Sequence, residues 1–226
     1  MLRCLKIWKV KNTDSQLLKN MQIIKHRIND ILALRDLDPN YGAEIDVRYH
    51  EDSLILHHDP FSHQNKKCVE LNNFLENWNS QGPLILNIKT EGIESQCINM
   101  LSEKKIVNWF FLDLSMPYFV KYSELAKKNT INSFSTDNLA VRFSDFEPIE
   151  YAIAFAGKAK WVWVDTFNMF PLNMNNYRAL KNNGFKICLV SPELQNHPIK
   201  MIDIIKKEII EMDIDAVCTK QPSLWI

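Results

Sequence analysis

The stretch 186-KICLVSPELQNHPIKMIDIIKKEIIEMDIDAVCT-219 decides the fold. It opens on Ile187-Cys188-Leu189-Val190, apolar without alternation, as a strand covered on both faces is. A helix is expected over 198–212, and Ala216–Thr219 reads as the next strand. Strand, crossover helix and strand in this order make a parallel pair. The unit repeats back along the chain. Strands are expected at 21–26, 43–48, 84–89, 109–114, 139–143, 160–166, 186–190 and 216–219. Helices are expected at 30–36, 69–79, 93–104, 148–156 and 173–183 before the last one, with a connecting segment at 117–128 and with Gly157 and Gly184 stopping two of the helices. Eight such units predict an α/β fold, a compact (β/α)8 TIM barrel with mostly parallel strands, somewhat below the usual size of about 250 residues. An open doubly wound sheet is the alternative, but no glycine-rich phosphate loop follows the first strand.

Composition sets the outer bounds. The chain has 226 residues, 46% of them hydrophobic, enough for one domain with a sizeable core. Lys+Arg and Asp+Glu balance at 27 each, so nucleic acid is not the expected partner. Five cysteines, none in a CxxC pair, fit a reduced, cytoplasmic protein rather than a disulfide framework. No stretch approaches the roughly 20 apolar residues of a membrane span, and the N-terminus lacks the features of a signal peptide. Residues 1–20 read as an N-terminal extension with a short strand at 5–10, or Met21 is the start; 21–226 form the single barrel domain.

Within this frame, 43-AEIDVRYHEDSLILHHD-59 carries the chemistry. On a strand, Glu44, Asp46 and Arg48 share a face while Ile45 and Val47 share the other. Taken alone, that alternation is better explained by an exposed strand, polar side out and apolar side in. What raises it is the β-rich arm Leu54-Ile55-Leu56 that follows, ending in His57-His58-Asp59. Carboxylate ligands beside imidazoles are suited to metal-assisted acid–base work.

A barrel gathers its site at the C-terminal ends of the strands. There the sequence puts His26 and Arg27; Glu44, Asp46 and Arg48; Asn87 and Lys89; Asp113 and Ser115; Arg142 and Ser144; Asp165; Ser191 and Glu193; and Lys220. Singly, Arg142 or Asp165 reads as a structural ion pair and Lys220 as a solvent-facing lysine. Their alignment at one end in consecutive units favours a shared site. Arg27, Arg48, Lys89, Arg142 and Lys220 supply positive charge suited to phosphate, and a divalent cation resolves its conflict with Glu44 and Asp46. Two histidines then provide a base and an acid. Trp161 and Trp163 read as barrel packing, His50 and His63 as loop residues, and His197 as lying at a helix start.

The combination His26-Arg27, Glu44-Ile45-Asp46-Val47, His58-Asp59-Pro60 and Asn87-Ile88-Lys89, followed by the closing run 215–225, resembles the glycerophosphodiester phosphodiesterase family. That family is grouped with the phosphatidylinositol-specific phospholipase C-like (β/α)8 phosphodiesterases. The similarity runs in order over 21–226, and its wording resembles a compact bacterial branch of that superfamily associated with surface-polysaccharide genes. The resemblance implies His26 and His58 as the acid–base pair and Glu44 and Asp46 as ligands of Mg²⁺ or Ca²⁺. It also implies Arg27 and Lys89 on phosphate, and a phosphodiester substrate, small or polysaccharide-linked, in lipid or headgroup metabolism. Two departures stand out. Asn87 occupies the position where the family has a third acidic ligand, with Asp113 as a possible substitute, and Ile28-Asn29-Asp30 replaces the usual segment after His-Arg. Asn87 therefore sustains a rival reading, a weakened or non-catalytic barrel that binds a phosphorylated sugar or headgroup. A phospho-sugar lyase or isomerase on the same barrel is a third.

Overall fold

The computed structural model describes residues 21–60 and 68–226; the expected extension 1–20, Cys4 and His63 lie outside them. Among the described residues, ten strands occur in chain order: β1 (Gln22–Lys25), β2 (Gly42–His50), β3 (Ser53–Leu56), β4 (Val69–Glu70), β5 (Leu84–Ile88), β6 (Trp109–Leu112), β7 (Ala140–Phe143), β8 (Trp161–Val164), β9 (Lys186–Val190) and β10 (Ala216–Thr219). Seven helices of the described residues lie among them: α1 (Ile31–Arg35), α2 (Leu71–Glu76), α3 (Glu94–Glu103), α4 (Met116–Lys127), α5 (Ile149–Ile153), α6 (Met174–Asn182) and α7 (Met201–Glu208).

Eight strands form the parallel circuit. β1 pairs with β2 and β10, β2 with β5, β5 with β6, β7 with β8, β8 with β9, and β9 with β10. A single parallel bridge, Phe111 to Leu139, joins the β6 and β7 sides. The circuit is thus a mostly parallel α/β barrel with one thin junction. β3 and β4 stand outside it: β3 folds back antiparallel on the second half of β2, and β4 on β3. Val69 and Glu70, expected at a helix start, are this short strand; the helix begins at Leu71.

Side chains sort by strand parity. Ile24, Ile85, Phe110, Trp161, Trp163 and Cys218 fill the barrel interior, with Phe110 stacked on Trp161 at 4.7 Å. Small residues (Ala140, Cys188, Ala216) lie in the same cluster as these rings, which lets an eight-stranded interior close-pack. The alternate positions, among them Ile45, Val47, Leu86, Phe111 and Val162, belong to the larger core that includes buried helix residues such as Leu101 and Ile205. Glu44 and Asp46 have the parity opposite to Ile45 and Val47, so two carboxylates are buried on the interior side.

The entry to the β2–β5 junction leaves no room for side chains at its two glycines. A Cβ on Gly82 would lie 2.2 Å from the Gly42 nitrogen, and one on Gly42 would lie 2.3 Å from the Pro83 oxygen. With five glycines in the chain, many turns use other residues. Left-handed φ occurs at Arg27, Glu51, Asp52, Lys105, Asp113, Asn129, Ser133 and Asn196, besides Gly92, Gly157 and Gly184. Glu51 and Asp52 together fit the two-residue hairpin turn that returns β3 along β2.

Candidate active site

The site grows from the ends of β1, β2 and β5. Lys25 ends β1 and pairs with Ala43, and the chain turns at Arg27 with φ 55°. That left-handed turn aims the Arg27 N–H at Glu44 Oε2, 2.8 Å away. Two residues on, Asn29 clamps Asp46 from both sides: its amide donates to Asp46 Oδ2 at 2.8 Å, and its Oδ1 accepts the Asp46 N–H at 2.9 Å. Asn87, in register with Asp46 on the neighbouring strand, donates to Glu44 Oε1 at 2.9 Å.

The two carboxylates are 1% and 0% exposed, and like charges so placed are costly. Burial first, and Asp46 second, push the Glu44 carboxyl up to about 7. Cations stand close without a tight pairing: Lys89 Nζ is 3.5 Å from Asp46 Oδ1, and Arg27 Nε is 3.9 Å from Asp46 Oδ2. Asp46 Oδ1 and Asn87 Oδ1 are buried and have no hydrogen-bond donor. Buried acceptors left in this state are uncommon and costly.

His26 packs beside this pair, its Nε2 3.8 Å from Glu44 Oε2. Burial, then the charges of Arg27, Lys220, His58 and Lys89, lower its imidazole to about 3. It is therefore neutral at physiological pH. His58 arrives on the β3 arm. Its Nδ1 lies 2.7 Å from Asp59 Oδ1 and its Nε2 2.5 Å from Arg27 Nη2. A guanidinium only donates, so Nε2 accepts and Nδ1–H faces the Asp59 carboxylate. That bond holds the Asp59 carboxyl below the usual range.

The remaining expected site residues divide. Arg48 turns onto the arm: it donates to the His57 and His58 carbonyls, with Nη2 2.8 Å from His58 O, and reaches Lys89 O at 3.4 Å. Asp113, at φ 61°, accepts from Arg142 Nε at 2.8 Å and Nη2 at 2.7 Å. Its other oxygen lies 3.7 Å from Lys89 Nζ. Arg142 continues to Asp165 at 2.7 Å, and Asp165 accepts from Gln195 at 2.8 Å. Lys220 is exposed; its backbone N–H donates to Glu193, which also accepts from Thr219 and Ser191.

Three residues outside the expected site matter: Asn29, Asp59 and Gln195. Asp59 follows His58 directly, a readable signal. The Asn29 clamp depends on the Arg27 turn and Gln195 on the loop after β9, neither of which has a spacing signature.

Among the described residues, no three His, Cys, Asp or Glu side chains gather as a metal cluster. An oxygen-ligated ion fits only with Asn87 as third donor. The donor chemistry is right for a hard cation, and the two orphaned oxygens, Asp46 Oδ1 and Asn87 Oδ1, are what such an ion would satisfy.

No family model matches the chain, and no curated protein matches it in sequence. Solved structures do match in fold. The glycerophosphodiester phosphodiesterase from Agrobacterium tumefaciens str. C58 superposes with a TM-score of 0.63 at 14% identity, over 91% of this chain and 98% of that one. A glycerophosphoryl diester phosphodiesterase from Parabacteroides distasonis ATCC 8503 gives 0.61 at 11% identity, over 95% and 90%. The chain therefore has the fold of these enzymes over most of its length. No helix among the described residues is long and apolar enough to cross a membrane.

Proposed function

We propose that the protein is a phosphodiester hydrolase, with His26 as general base and His58 as general acid. The observation that carries this reading is that His26 and His58 both lie at the buried Glu44–Asp46 pair, His26 directly and His58 through Arg27. His26 is half-buried among cations that keep it unprotonated, with Nε2 on the side of Glu44; charge brought in by a bound phosphodiester would raise its basicity. His58 has Nδ1–H on the Asp59 carboxylate, which fixes the ring with Nε2 turned toward Arg27.

In the reaction, His26 takes the proton of the attacking water or neighbouring substrate hydroxyl as its oxygen bonds to phosphorus. The bond from phosphorus to the leaving alcohol breaks, and that oxygen takes a proton from His58, which must first leave Arg27 and be protonated on Nε2 from solvent. Arg27 and Lys89 neutralise the phosphoryl oxygens, and Lys220 adds positive charge from the β10 side. Glu44, Asp46 and Asn87 would hold a divalent cation, Mg²⁺ or Ca²⁺, which supplies charge stabilisation at the phosphoryl oxygens. Arg48 orders the His57–Asp59 segment, and Arg142 fixes Asp113. The substrate is a small or sugar-linked phosphodiester. Buried thiols at Cys97, Cys188 and Cys218 fit a reducing, cytoplasmic setting.

One observation favours a second reading. Asn87 already donates to Glu44 and Lys89 already stands by Asp46, so the pocket can hold a phosphorylated ligand without an ion and without turnover. Titrating Mg²⁺, Ca²⁺ and Mn²⁺ while assaying bis(p-nitrophenyl) phosphate, with His26→Ala alongside, separates the two. Ion-dependent hydrolysis lost in the variant is the expected result. Failure of both ion binding and hydrolysis selects the binder.

A further inference from the structure

The thin junction of the barrel opens into a pocket. Beyond the single Phe111–Leu139 bridge, a cavity of about 200 Å³ lies between β6 and β7 and the residues that follow them. Asp113, Phe119, Arg142, Glu147 and Tyr151 are among its walls. The volume falls below the roughly 300–1,000 Å³ of pockets for drug-sized ligands, so it suits one small ring.

Its chemistry is uneven in a useful way. Phe119 and Tyr151 supply aromatic surface. Asp113 and Arg142 are bound to each other, but two other polar groups are not fully used. Glu147 Oε2 accepts from Ser144 at 2.8 Å, and the Arg142 charge acts on the same carboxylate; Glu147 Oε1 and the solvent-exposed Tyr151 hydroxyl make no hydrogen bond to the described residues and are free for a ligand in place of water. Burial and the Glu147 charge raise the Tyr151 phenol, which keeps it a donor at neutral pH. An aromatic wall with an open carboxylate and an open phenol matches a ring that is apolar on its faces and hydroxylated at its edge. A hydrocarbon ring would leave both polar groups unanswered, and an anion would face Glu147.

Position links this pocket to the reacting centre. Asp113 lies 3.7 Å from Lys89, and neighbouring strands stand about 4.8 Å apart, so the pocket begins one to two strand spacings from Lys89. A ring esterified directly to phosphate spans that gap. We propose that the β6–β7 pocket is the subsite for a single sugar ring carried on one side of the phosphodiester. The ester linkage rests on the phosphodiesterase reading; the binding of the ring does not.

Two measurements keep those apart. Saturation-transfer NMR on the whole protein uses the methyl glycosides of glucose, galactose and N-acetylglucosamine as probes, with benzene as apolar control. Transfer to at least one glycoside, exceeding that to benzene and weakened in Tyr151→Phe, is expected. No transfer to any of the three overturns the proposal. The second measurement compares kcat/KM for methyl p-nitrophenyl phosphate with the p-nitrophenyl diester of the glycoside that binds. Wild type should favour the sugar diester, and Tyr151→Phe and Glu147→Gln should each cut that preference about five- to tenfold, as for a lost hydrogen bond. Equal losses on both diesters overturn the subsite. Ring binding without cleavage of either diester keeps the subsite and removes the phosphodiesterase reading instead.

Discussion

Two polar clusters share one end of this barrel and are built on opposite terms. On β6–β9, Arg142 joins Asp113 and Asp165 at 2.7–2.8 Å, and Gln195 closes the chain. On β1, β2 and β5, two buried carboxylates sit side by side with cations 3.5–3.9 Å away and two orphaned acceptor oxygens. The first cluster has what it needs inside the fold. The second leaves two buried acceptor oxygens that a bound cation would satisfy. Charge alone would not separate them, since both read as acids and bases at strand ends.

The sharpest way to break this contrast is catalytic. His26→Ala and His58→Ala should each lower phosphodiesterase turnover by about 10²- to 10⁴-fold, with thermal melts showing that the fold is kept. Retained turnover in both would reduce the unsatisfied cluster to architecture. Next comes stability. Arg142→Met leaves Asp113 and the 2%-exposed Asp165 without their cation, and should cost about 3–5 kcal/mol in urea unfolding. Lys89→Met, on the loosely paired side, should cost well under that while depressing activity. If the two variants lose equal stability, the distinction fails.

Smaller effects sharpen it further. Gly82→Ala forces a Cβ to within 2.2 Å of the Gly42 nitrogen and should cost about 1–3 kcal/mol by thermal unfolding. The unsatisfied cluster rests on that close β2–β5 contact, whereas the sugar subsite lies over the thin β6–β7 bridge. Asn87→Asp adds a charged donor and should tighten Mg²⁺ or Ca²⁺ binding roughly tenfold, about 1.4 kcal/mol, by calorimetric titration. Unchanged affinity would place the ion, if any, away from Asn87.

Much of this was legible beforehand for identifiable reasons. Continuous apolar runs such as Ile187–Val190 and regular helix spacing report burial directly, and together with the alternation at 43–48 they place the eight strands of the parallel circuit. Parity placed Glu44 and Asp46 together. Element ends were less readable, because fraying and capping are decided by tertiary contacts: the last helix stops at Glu208, short of the expected 212. Charge type did not reveal which partner a cation takes. Arg48 and Arg142 look like phosphate ligands in the sequence, yet one lies on the carbonyls of its own hairpin arm and the other bridges two aspartates. Those choices depend on distances between loops that no spacing encodes.

The left-handed residues give the chain a reserve for engineering. At Arg27 and Asp113 that backbone shape directs a side chain the site uses, so glycine there would trade function for ease. Lys105 and Ser133 adopt the same shape at the turns after α3 and α4, remote from the histidines in sequence and tied to no site residue. Relaxing such positions to glycine relieves about 1 kcal/mol each, partly offset by the looser unfolded chain. A hardier scaffold is thus within reach of substitutions that leave the chemistry untouched.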